Sequence, residues 1–176
     1  MQHKTYGKYM HQSKQAVALQ EAQMKSKYSK MVEDRIVLCK GTFRSNCRGT
    51  ALYIVGEIDN DEYVPQYITK QIEKLKVVTV PVKHCLAVWI CYPERQYDYV
   101  YHMGVVVSTV PLLVTHREGF HAQFIENQPI KDAIPLLYDN VIKFYLPQGI
   151  DRADCTDKGI GHKTIKKIER IDFYHG

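Results

Sequence analysis

Apolar residues first recur at helical spacing between Ser13 and Val32, where Val17, Met24, Tyr28 and Met31 fall on one face and Ser13 can cap the start. Ala16, Ala18 and Leu19 add helix propensity to the same stretch. Ile36–Leu38 is a brief apolar stretch, and residues 41–46 are a polar loop. Cys47–Val55 reads as a second helix, with Asn46 as N-cap and Gly56 as its stop. An acidic loop at residues 59–62 leads to a third expected helix, Val64–Lys76, lysine-rich on one side.

From Val77 the pattern shortens. Val77–Val82, His84–Tyr92, Tyr99–Ser108 and Leu112–Thr115 are dense in Val, Ile, Tyr and Trp. Pro81, Pro93-Glu94-Arg95 and Val110-Pro111 punctuate them, which predicts short antiparallel strands joined by turns. Asn140–Leu146 predicts one more strand. Helices followed by a strand meander give an α+β class, with N-terminal helices packed on an antiparallel sheet. The expected organisation is a basic helical extension over 1–34, a central domain over 35–150, and a polar tail over 151–176 with a short basic helix at 164–173. Gly159-Ile160-Gly161-His162-Lys163-Thr164 lacks the Walker glycine spacing and the strand that must precede it, so no phosphate loop is expected there.

Composition narrows the class without choosing a function. With 45% hydrophobic and 24% charged residues over 176 positions the chain is globular and needs no disulfide or metal staple. No apolar run is long enough for a membrane span. Residues 1–10 are polar and lead into no apolar segment, so a cytoplasmic location is expected. The net charge of +5 is uneven: residues 1–45 carry nine Lys/Arg against three Asp/Glu, whereas residues 46–150 carry nine against eleven. The basic excess therefore belongs to the N-terminal segment, which leaves open a non-catalytic module that binds nucleic acid or an acidic partner through it. The thirteen tyrosines, scattered through helices and strands, are better explained by core packing than by base stacking, which disfavours nucleic acid.

Five cysteines, Cys39, Cys47, Cys85, Cys91 and Cys155, form no CxxC pair, so reduced thiols are expected, with neither a metal nor a cofactor. Cys47 differs from the others in standing at the first turn of a predicted helix, directly after a polar loop. Unpaired N–H groups and the helix dipole there favour a thiolate, so a lowered thiol pKa is expected, and the same groups can hold an oxyanion. A thiol nucleophile also needs a base held in one tautomer by a third group. His102 and His116 suit those roles, because both lie in strand-forming sequence, 14 residues apart across the Val110-Pro111 turn.

Asn46-Cys47-Arg48-Gly49 opening a helix, His102-Met103-Gly104-Val105 on a strand and Thr115-His116 on the next resemble the NlpC-type cysteine peptidases of the papain-like superfamily. In that family the nucleophile stands in an Asp-Cys-Ser-Gly-like motif, the base in a His-Val-Gly-Ile-like strand, and a polar residue on the following strand orients the base. The resemblance covers roughly residues 35–146. It implies a papain-like fold and a hydrolase (amidase or peptidase) in which Cys47 is the nucleophile, His102 the base and His116 its orienting residue. Asn46 replaces the family's acidic residue, Arg48 its small residue, and Lys83-His84 its Gly-Asp; Phe43 is nearest to its upstream tyrosine. The implied substrate is a peptide, amide or ester. Acyl transfer or deamidation is compatible with the same residues. Asn46, Arg48 and Arg117 flank the centre in sequence and are candidates to bind substrate, the two arginines through a carboxylate.

Overall fold

Helix α1, His3–Cys39, is nearly twice the length that periodicity predicts, because no glycine or proline interrupts the chain between Gly7 and Gly41 and Ile36–Leu38 continue it. In this computed structural model the described residues are 3–65, 70–91, 99–133 and 140–151. The expected tail helix and the Pro93-Glu94-Arg95 turn lie outside them. Side chains 14–27 of α1 are exposed apart from Glu21, which is partly covered. The helix docks through its last turns: Val32 and Cys39 are fully buried, and Tyr28, Met31 and Ile36 pack beside them.

Helix α2, Cys47–Val55, forms with the caps read from the sequence. Asn46 accepts from the Gly49 N–H, and Gly56 closes the helix in the left-handed conformation. The expected helix over 64–76 is replaced, among the described residues, by chain without regular structure through Pro65, a single turn α3, Lys70–Glu73, and strand β1, Lys76–Val78. The helix propensity of Lys76 yields to tertiary pairing, for Lys76–Val78 lies antiparallel to a later strand.

The remaining strands are β2, Leu86–Cys91; β3, Tyr99–Thr109; β4, Leu112–Arg117; β5, Phe124–Pro129; and β6, Asn140–Leu146. A 3-10 turn, Ile130–Asp132, follows β5, and a short helix α4, Gln148–Asp151, follows β6. The six strands form one antiparallel sheet in the order β1-β6-β2-β3-β4-β5, so the fold is α+β. β2 is central and buried on both faces. Leu86, Val88 and Ile90 join the core beneath α1 and α2, while Ala87 and Trp89 join a second core on the opposite face.

His84, expected at the start of a strand, instead occupies the turn before β2 with φ 70. Its ring is buried edge-on to Tyr28. Burial, reinforced by the Lys83 charge, pushes it down to about 4, so it folds as a neutral ring.

Candidate active site

Three of the four residues in Asn46-Cys47-Arg48-Gly49 hold one neighbouring segment in place. The Asn46 Oδ1 accepts from the N–H of Gly49 (2.9 Å) and of Val64 (3.3 Å), and its Nδ2 donates to the Val64 carbonyl (2.7 Å). Arg48 Nε donates to the same carbonyl (3.0 Å), and its Nη1 donates to Val100 O (3.3 Å). A Cβ on Gly49 would collide with the carbonyl of Glu62, so glycine is what lets this segment lie against the first turn of α2. Asn46 and Arg48, expected to face substrate, thus have their polar groups engaged with backbone, although both line the cavity described below.

Cys47 is left facing that cavity. Asn46 takes up the Gly49 N–H and the Thr50 N–H bonds to the Asn46 carbonyl (2.9 Å), while the N–H groups of Cys47 and Arg48 point at the Cys47 sulfur. A third N–H comes from the sheet. Pairing of β3 with β4 stops at Gly104–His116, and Met103, the next residue along β3, directs its N–H to the same sulfur. The lowered pKa expected from the helix start does not result. Cys47 is 5% exposed, and burial raises its thiol above the ordinary value against the opposing Arg48 charge and the three N–H groups. At rest Cys47 is a thiol.

Strand β3 owes its geometry to a β-bulge. Trp89 pairs with His102 and Ile90 with Val100, which leaves Tyr101 as the extra residue. Val100, Met103 and Val105 consequently face the core beneath α2. His102 lies on the other side of β3, edge-on to Trp89 with ring centroids 5.2 Å apart. Across from His116 stands Gly104, where an added Cβ would come within 3.2 Å of both the His116 Cβ and the Thr115 carbonyl oxygen. Glycine here lets the two histidine rings meet.

His102 Nε2 lies 2.9 Å from His116 Nδ1, and His116 Nε2 lies 2.6 Å from Gln128 Oε1. Gln128 Nε2 donates to the Asp132 carbonyl (3.0 Å). That carbonyl can only accept, so it fixes the amide with Oε1 toward His116, whose Nε2 must carry the hydrogen. A neutral His116 then offers only a lone pair at Nδ1, and His102 must donate from Nε2. The lone pair of His102 is confined to Nδ1. Burial, then repulsion from a protonated His116 and from the Arg48 charge, push His102 down to about 3, so His102 is neutral at rest. Gln128 escaped the sequence reading because its strand, Phe-Ile-Glu-Asn-Gln-Pro, carries no alternating apolar pattern.

Arg117 is placed differently from expectation. It is fully buried and does not line the cavity. Its Nε donates to Thr50 Oγ1 (2.9 Å), its Nη2 to Cys39 O (2.9 Å) and Thr42 Oγ1 (3.2 Å), and its Nη1 to Ala122 O (2.9 Å). Asp61 lies 3.6 Å from Nη2 and accepts from Thr50 (3.0 Å) and from Thr42. This knot ties α1, α2 and β4 to the loop at residues 118–123, where His121 also donates to the Phe43 carbonyl.

The cavity, of about 450 Å³, is lined by Asn46, Cys47 and Arg48 from α2 and its cap, by Tyr101 and His102 from β3, and by Tyr63, Ala133 and Glu118-Gly119-Phe120. It brings Cys47 and His102 to one space, with His116 behind His102. Among the described residues no group of three or more His, Cys, Asp or Glu side chains is arranged to hold a metal ion, and no helix is long and apolar enough to cross a membrane. Comparison with models of known families, with curated proteins and with solved structures finds no match to this chain.

Proposed function

We propose that this protein is a cysteine-dependent amidase or peptidase built on a papain-like core of the NlpC type, with Cys47 as nucleophile, His102 as base and His116 as the residue that orients the base. The observation that carries the reading is the directed chain from the Asp132 carbonyl through Gln128 and His116 to His102, which ends in a lone pair on a histidine sharing a cavity with a thiol. Such an arrangement suits general-base activation of a neutral nucleophile.

The steps balance as follows. His102 Nδ1 takes the Cys47 proton as sulfur bonds to the substrate carbonyl carbon, and the carbonyl electron pair moves onto oxygen. Arg48 and the N–H groups at the start of α2 stabilise that negative charge. As the oxyanion collapses, the C–N or C–O bond breaks and the leaving group takes the proton from His102, producing a thioester. Water then loses a proton to His102, attacks the thioester and releases the acid, and the thiol is restored.

Alkylation by iodoacetamide at neutral pH tests the reading, with each cysteine followed by peptide mass. Cys47 is expected to react ahead of Cys39 and Cys85, which are fully buried with thiols pushed up to about 12 and about 11. His102→Ala should slow Cys47 alone. Equal rates at Cys47 and Cys39, or a rate unchanged by His102→Ala, refute the proposal.

A further inference from the structure

The residues lining the cavity carry one fixed charge of each sign, and the two have different surroundings. Arg48 is buried at the start of α2 and bonded to two backbone carbonyls, and its charge acts on Cys47 and His102. A thiolate or an oxyanion forming at Cys47 is the charge it answers. Glu118, by contrast, is exposed on the loop after β4, and no described residue pairs with its carboxylate. Three aromatic residues line the same cavity: Phe120, Tyr63 and Tyr101. Phe120 and Tyr63 pack edge-on with centroids 5.1 Å apart, and both are about half exposed.

An exposed carboxylate that shares a cavity with aromatic side chains is suited to a cation, which gains a charge-assisted hydrogen bond from the acid and favourable quadrupole contacts from the rings. The loop is also held in position, since Arg117 binds Ala122 O (2.9 Å), Glu118 N–H donates to Gln123 O (3.3 Å) and Ala122 N–H to Gly119 O (3.4 Å). From this arrangement we infer that the Glu118 side of the cavity binds a positively charged group of the substrate, an ammonium or guanidinium, while Cys47 attacks the substrate carbonyl. The inference rests on Cys47 being the nucleophile of the proposed reaction. It is opposite in sign to the substrate carboxylate that the flanking arginines suggest from sequence.

Methanethiosulfonates of three charges, trimethylammonioethyl, methyl and sulfonatoethyl, provide the test on the full chain. The rate at Cys47 is read by peptide mass and divided by the rate with free cysteine. The cationic reagent is expected to outpace the anionic one by about tenfold, the scale of one charge-assisted contact. Glu118→Gln should remove most of that preference and Glu118→Lys should reverse it; the exposed position lets both variants fold. Raising the salt should shrink the preference of the native protein. A preference for the anionic reagent, or a ratio that Glu118→Gln leaves unchanged, overturns the inference while leaving Cys47 as nucleophile. Failure of all three reagents to modify Cys47 removes the nucleophile and the inference together.

Discussion

His102 Nε2 lies 2.9 Å from His116 Nδ1, and the direction of that hydrogen bond is set two residues further on, at the Asp132 carbonyl. In the proposed reaction Gln128 is therefore a positioning residue. Gln128→Leu should let His116 adopt either tautomer and slow alkylation of Cys47 by about ten- to a hundredfold, part of what a well-placed base contributes. Gln128→Glu keeps an acceptor for the His116 proton and should retain most of the rate. Long-range proton–nitrogen correlation spectra of the two rings give the decisive readout: His102 should carry its hydrogen on Nε2 in the native protein and in the Glu variant, and lose that preference in the Leu variant. The same spectrum in all three proteins would sink the assignment.

Asn46 needs a donor as well as an acceptor. An aspartate would cap α2 as well as asparagine does, but its carboxylate would face the Val64 carbonyl that Asn46 Nδ2 now reaches at 2.7 Å. Asn46→Asp is expected to lower stability by about 1–3 kcal/mol and to push the Cys47 thiol further up. Urea denaturation decides between roles. If Asn46→Asp is as stable as the native protein while Asn46→Ala is not, capping alone explains the residue.

Removing Arg117 leaves Asp61, with a side chain 6% exposed, without its cation. Arg117→Met should cost about 3–5 kcal/mol, whereas adding Asp61→Asn should recover a large part of it. A double-mutant cycle by chemical denaturation measures the coupling. Independent, additive losses would show that Arg117 acts through its hydrogen bonds to Thr50, Cys39 and Ala122 and not through Asp61.

Two buried histidines tie stability to acidity. His102 and His84 fold neutral, with values pushed from 6.5 to about 3 and about 4. The unfolded chain therefore takes up protons first as pH falls. Their contribution is fully present above about 6.5 and is lost as pH descends toward the folded values, at about 1.4 kcal/mol per pH unit for each ring. Urea midpoints should fall between pH 7.5 and 5.5, and by roughly half as much in His84→Asn, which tolerates the left-handed backbone of that turn. A native midpoint that does not move over this interval contradicts the account.

Local signals carried much of the fold. Helix α2 was legible because cap, apolar run and stop residue are contiguous, and β2, β3, β4 and β6 because β-branched and aromatic runs are bounded by proline or polar turns. Strand β5 was not, since Phe124–Pro129 is a polar edge segment with Asn127 at φ 55. The placement of β6 between β1 and β2 depends on pairing over separations from 49 residues (Cys91 to Asn140) to 70 (Lys76 to Leu146), which no local pattern encodes. The same division runs through the site. Cys47, His102 and His116 each stand in a recognisable local setting, and the chain brings Cys47 and His102 to one cavity and His116 to the ring of His102. Gln128 lies on the strand that has no signature, and the inward roles of Arg48 and Arg117 exist only once α2, β3 and β4 are packed together.

Trp89 lies edge-on to His102, and it is the only tryptophan in the chain. Its emission therefore reports from a single point, beside the ring proposed to gain and lose the reaction's proton. An imidazolium quenches a neighbouring indole more strongly than a neutral imidazole does, and a shift of the ring alters the contact between them. The unlabelled protein thus carries an intrinsic optical probe, through which formation and breakdown of the proposed acyl-enzyme can be timed in a stopped-flow fluorimeter.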